Sequence, residues 1–115
     1  MLMNTLGFAL GFFLLAVVLG IYLLSLVLRS KQISKRVAII HGLFAAAGLI
    51  LLVVYPFYHH PAPILSMILF IFAALGGLTM MYKGMSGKPV PAWLACGHGT
   101  IALIAVATLI VFILV

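Results

Sequence analysis

Apolar residues run almost unbroken through four stretches, about Leu6 to Leu28, Val37 to Phe57, Ile64 to Tyr82 and Ala92 to Val115, while polar residues gather in the three short connections. Each stretch comes close to the roughly 20 residues that a helix needs to cross a hydrocarbon core of about 30 Å. A barrel would need short alternating strands, and lipid demands that every backbone polar group be bonded internally, so the four stretches predict helices. Pro56, Pro61 and Pro63 bracket the middle connection, and Gly84, Gly87, Pro89 and Pro91 end the third helix, with Pro91 placed to open the fourth at its first turn. The predicted fold is all-α: an integral membrane four-helix bundle, one transmembrane domain over residues 1–115.

The apolar pattern repeats. Sliding the chain against itself by 57 residues places His41-Gly42 on His98-Gly99, Ala16 and Gly20 on Ala73 and Gly77, Lys31 on Lys88, Ala38 on Ala95, Ala45 on Ala102 and Gly48 on Ala105, without a gap. Two tandem two-helix repeats, about 1–57 and 58–115, follow. Units of two helices keep the same orientation in the membrane, which puts a pseudo-twofold axis along the membrane normal and gives equivalent residues the same depth. Small residues line single faces: Ala38, His41, Ala45 and Gly48 on helix two, and Ala95, His98, Ala102 and Ala105 on helix four. Gly7 and Gly11 on helix one have the spacing that lets helices approach closely.

Composition agrees with lipid as the solvent. The chain is 68% hydrophobic and 5% charged, with no Asp or Glu, and cannot cover itself with the charged surface of a soluble domain. A signal peptide is a poor reading of the first stretch, because Met1 to Leu6 has no basic residue and no small-residue cleavage pattern follows. All six basic residues lie in two connections, Arg29, Lys31, Lys35 and Arg36 in the first and Lys83 and Lys88 in the third. The positive-inside rule makes both cytoplasmic, so both termini and the Tyr58-His59-His60-Pro61 turn lie on the non-cytoplasmic side of a cell inner membrane. The net charge of +6 reads as orientation and contact with anionic lipid headgroups; a nucleic-acid patch has no support when the cations sit at membrane edges. Tyr55, Tyr58, Tyr82 and Trp93 fall where interfacial rings prefer to lie. Cys96, the one cysteine, excludes an internal disulfide and reads as a small packing residue.

Candidate chemistry rests on His41 and His98. An imidazole inside hydrocarbon needs a partner, and two at matching depth invite a common explanation: a metal centre, a proton or quinone site, or hydrogen bonds that tie helices together. Zinc is ill served by two imidazoles with no carboxylate. Haem iron needs two axial ligands only, and a neutral imidazole pair supplies them. Gly42 and Gly99, with Ala45, Gly48, Ala102 and Ala105 deeper, would leave room for a flat macrocycle, and Lys35, Arg36 and Lys88 could neutralise its propionates. His59 and His60 read as solvated turn residues; with Tyr55 and Tyr58 they could instead line a quinone head-group site or hold a surface metal.

The four-helix outline with intramembrane histidines resembles cytochrome b561-type membrane proteins, and the run Gly87-Lys88-Pro89-x-Pro91 … His98-Gly99 resembles small uncharacterised bacterial membrane proteins. The first resemblance implies b-type haem, with His41 and His98 as axial ligands, and electron exchange with a quinol or another redox partner. The b561 pattern brings histidines enough for two haems on opposite sides. This chain places only His41 and His98 in the membrane, which puts electron transfer across the full bilayer in doubt.

Two other functions compete. The chain could be a structural or accessory subunit, a homodimer or part of a larger membrane complex, whose histidines pin the bundle. A small transporter or channel is the third, though coupled cation export relies on an intramembrane carboxylate and this chain has none. Hydrolytic chemistry is disfavoured, since no carboxylate orients a histidine and Cys96, two residues before His98, points to a different helix face.

Overall fold

The structure, a computed structural model, describes residues Leu2–Val115, with side chains from Asn4 onward. Four helices account for nearly all of it: α1 (Leu2–Leu28), α2 (Lys35–Val54), α3 (Ile64–Met85) and α4 (Ala92–Leu114). Each is long and apolar enough to cross a membrane. The helix bounds differ from the sequence expectation at a few ends. The chain beyond α2 tightens into a 3-10 turn at Tyr55–Phe57, where Pro56 has no N–H to continue the α pattern. Gly84, expected to break α3, lies inside it, whereas Pro91 stands as the cap just before α4, which begins at Ala92 as its apolar stretch does.

Short connections make the helices alternate in direction. Neighbouring pairs are α1–α2, α3–α4, α1–α4 and, most loosely, α2–α3, so α1 faces α3 across one diagonal and α2 faces α4 across the other. The bundle measures 43 × 21 × 19 Å, close to the length of its helices. Its interior carries many small side chains and its surface the large apolar ones. Ala9, Ala16, Ala73, Ala95 and Ala105 are buried, while Phe8, Val18, Leu43, Ile50, Phe72 and Leu78 are exposed. That distribution suits helices in lipid, where association depends on close backbone approach rather than on escape from water.

The 57-residue offset in the sequence is also an offset in geometry. The buried stripe Leu6, Ala9, Phe13 and Ala16 on α1 corresponds to Pro63 just before α3 and Ser66, Phe70 and Ala73 on it, and Gly48 and Leu52 on α2 to Ala105 and Leu109 on α4. The turns correspond bond for bond. After α1, the Lys31 N–H donates to the Leu26 carbonyl (2.8 Å) and the Ser30 N–H to that of Val27 (3.1 Å); after α3, Lys88 donates to Lys83 (2.8 Å) and Gly87 to Gly84 (3.2 Å). Both are Schellman caps, which need a left-handed residue just past the helix. Ser30 takes that place with φ 52° and Gly87 with φ 72°. Serine has a Cβ that opposes this conformation and glycine does not. Ser30→Gly is therefore expected to raise stability by about 0.5–1 kcal/mol, and Gly87→Ser to lower it by a similar amount. Thermal unfolding in detergent checks both; no side-chain clash complicates the second, as no atom lies within 4 Å of a Cβ built on Gly87.

One expectation of close packing fails. Gly7 and Gly11 face outward, with nothing within 4 Å of a Cβ built on either. Of the small residues that do pack on α1 and α3, Ala16 with Gly20 and Ala73 with Gly76 and Gly77 pack against imidazole.

Candidate functional site

His41 and His98 are each the seventh residue of their helices, about 9 Å along the axis from the first. Both helices start at the end of the bundle that carries all the cations, so the two rings share a depth near that end. Ser34 fixes the start of α2 by accepting from the Val37 N–H (3.4 Å), and Pro91, with φ −64° and ψ 138°, opens α4 at the equivalent place. Heptad-like phase then turns both imidazoles inward, and their ring centroids stand 6.2 Å apart with an interplanar angle of 74°.

Each ring is clamped within its own hairpin. His41 Nδ1 lies 2.7 Å from the Ala16 carbonyl of α1, and His98 Nδ1 lies 2.7 Å from the Ala73 carbonyl of α3. A carbonyl can only accept, so Nδ1 carries a proton in both rings, and in the neutral form of each ring Nε2 is the nitrogen with the lone pair. Neither Nε2 has a protein hydrogen-bond partner among the described residues. The clamp depends on glycine: a Cβ at Gly20 would lie 3.0 Å from His41 Cε1, and one at Gly77 3.2 Å from His98 Cε1. A backbone-clamped Nδ1–H with a free Nε2 is the arrangement that orients histidine for a metal.

The surroundings differ in part from the sequence expectation. Space deeper in the core at Gly48 is filled by the Phe13 ring, whose atoms come within 3.0 Å of a Cβ built there. Phe13 and Phe70, equivalent residues on the other diagonal, stack at 3.7 Å and 6°, closing the core beneath the histidines. Beside His41, Gly42 meets the Met81 methyl group, 3.4 Å from a built Cβ, whereas Gly99 faces open space. The phenylalanine stack was not singled out in the sequence, since two more aromatics in apolar runs carry no polar signal; the 57-residue offset would have paired them.

Lys35, Arg36 and Lys88 are exposed at the same end as the imidazoles, and the positive ends of α2 and α4 add to their field. With no acidic residue in the chain, that end is uncompensated. Arg29 folds back onto its own helix, its Nε 3.1 Å from the Ser25 carbonyl. At the far end His59 is half-buried against Tyr55 (centroids 4.9 Å apart) and His60 is exposed, so the structure does not bring this pair to the inner imidazoles. Cys96 is exposed on the face of α4 away from His98. A concavity along α2 at Ala46, Leu49, Ile50, Val53 and Val54 has no polar lining and offers no chemistry. No group of three or more His, Cys, Asp or Glu side chains able to hold a metal occurs among the described residues.

Among the described residues the two imidazoles are the nitrogen donors brought together at this depth, a pair that suits an acceptor with two open positions. No family model matches the chain, and neither does any curated protein or solved structure.

Proposed function

We propose that the chain is a small electron-transfer protein of the inner membrane that holds one b-type haem through His41 and His98, with its basic end cytoplasmic and against anionic headgroups. The observation that carries the reading is the spacing. Metal–nitrogen bonds of about 2 Å on either side of one ion put two imidazole centroids about 6 Å apart when both Nε2 atoms face the ion, and these stand at 6.2 Å.

The donor set fits the group: two neutral rings, each with Nδ1–H anchored and Nε2 free. The cradle at Gly20 and Gly77 fits the rings themselves, and a macrocycle between them requires the bundle to open. The loosest seam is α2–α3, where the flexible Met81 side chain covers Gly42. Bound there, haem would supply one-electron chemistry. The protein's part is to hold the imidazoles by the Ala16 and Ala73 carbonyls, to exclude water with the Phe13–Phe70 layer, and to offer Lys35, Arg36 and Lys88 to acidic groups at the rim. Its redox partner, a quinol or a protein, belongs to the same proposal.

A second reading has an observation of its own. Both Nδ1–carbonyl bonds are complete with no ligand, as a structural subunit with purely helix-tying histidines would have them. One experiment separates the two. Protein expressed with haem supplied is expected to show a Soret band that His41→Ala and His98→Ala each reduce at least tenfold; a colourless wild-type protein overturns the haem reading and leaves the structural one.

A further inference from the structure

The two clamps leave a chemical imbalance between the rings. Both Nδ1 protons are committed to backbone carbonyls, which leaves two part-buried rings of matching depth whose Nε2 atoms bond no donor of the protein. Such a pair attracts a Lewis acid. The charge balance narrows its identity, because the chain has no acidic residue and the site lies toward its cationic end. A divalent ion there would keep its full charge uncompensated in a medium of low dielectric, at a cost that falls steeply with the charge of the ion. Among the described residues no third histidine, cysteine or carboxylate joins the pair to complete the shell of such an ion. Closed-shell monovalent ions of the copper group, by contrast, are satisfied by two nitrogen donors in a line.

We propose that the closed bundle binds one bare soft monovalent cation, cuprous or silver, between His41 Nε2 and His98 Nε2. This goes beyond haem binding and does not depend on it. With both Nε2 atoms turned to the midpoint, the 6.2 Å centroid separation admits two metal–nitrogen bonds of about 2 Å, and a bare ion needs far less room than a macrocycle. Gly20 and Gly77 hold the rings at that separation, and the Phe13–Phe70 stack closes the space beneath. The cation and haem would compete for the same nitrogens.

Silver ion is the probe, because it is monovalent and does not change oxidation state during the measurement. The full chain is titrated in detergent with Cys96→Ser, His59→Ala, His60→Ala and Met85→Leu present together, which removes the other cysteine and histidine donors and the exposed thioether of Met85. One silver ion per chain is expected, bound at least tenfold more weakly in that background after either His41→Gln or His98→Gln. Should those variants fail to fold, nitrogen NMR of the background protein decides the matter: silver is expected to move the Nε2 resonances of His41 and His98 and no others. X-ray absorption of the copper(I) form is expected to show two nitrogen neighbours at about 2 Å. Silver binding that disappears with Cys96, His59, His60 and Met85, unmoved Nε2 resonances, or a third ligand in the absorption spectrum overturns the proposal. A colourless protein that binds silver removes the haem reading alone, and a protein with a Soret band that ignores silver removes this one alone.

Discussion

Phe13→Ala and Phe70→Ala are each expected to destabilise the bundle by about 2 kcal/mol, and the double variant by less than the sum. Both rings are nearly inaccessible, 3% and 5% exposed, and lie face to face at 3.7 Å. Large-to-small changes in water-soluble cores cost about 3–5 kcal/mol for phenylalanine, part of it the transfer of the ring out of water. Helices that separate within lipid keep their rings in an apolar medium, so mainly the packing part is lost, and the smaller figure follows. Removal of either ring ends the stacking, so the second removal has less to lose; aromatic pairs couple by about 0.5–1.5 kcal/mol. Reversible unfolding in mixed detergent measures all four proteins. Strict additivity would mean that the rings do not interact and that α1 and α3 are joined across their diagonal by something else.

Gly20→Leu and Gly77→Leu are expected to displace the imidazoles and to act alike in the two halves. Leucine in place of a mid-helix glycine gains about 0.8–1 kcal/mol of helix propensity. Against this stands a Cβ 3.0 Å from His41 Cε1 or 3.2 Å from His98 Cε1, with the remainder of the side chain still to place. Overpacking costs about 1–3 kcal/mol and the loss of a hydrogen bond about 1 more, so the net effect is a loss. Titration of silver or haem in these variants reads the displacement directly, with at least tenfold weaker binding expected. Alanine needs the ring to yield only a few tenths of an ångström and is expected to be far milder. A Gly77→Leu protein that melts and titrates like the wild type would show that the Ala73 clamp does not set the position of His98.

Much of this was legible in the chain. Four apolar runs gave four helices because length and hydropathy suffice for that inference, and the His-Gly dipeptides marked the equivalent positions that now face one another. Other features were hidden for identifiable reasons. Which helices are neighbours depends on packing that periodicity does not encode, so the placement of α2 and α4 on a diagonal had to come from coordinates. Gly48 reads as vacant space only while Phe13 is an anonymous member of an apolar run. Gly7 and Gly11 have the spacing of an interface but present it outward, since spacing fixes a face and not its partner. The αL position of Ser30 was masked by a residue that rarely adopts it, although its counterpart is Gly87.

Among the described residues, the polar side-chain bonds between helices stay inside a hairpin. His41 bonds to α1, His98 to α3, and the hydroxyl of Ser66 on α3 to that of Thr108 on α4 at 2.8 Å. Either pair of helices can accordingly enter lipid with its imidazole already silenced, and two finished hairpins can then slide together over ring faces and aliphatic surface. A chain assembled in this order never has to carry an unanswered N–H through hydrocarbon, and only the Nε2 lone pairs wait for the halves to meet.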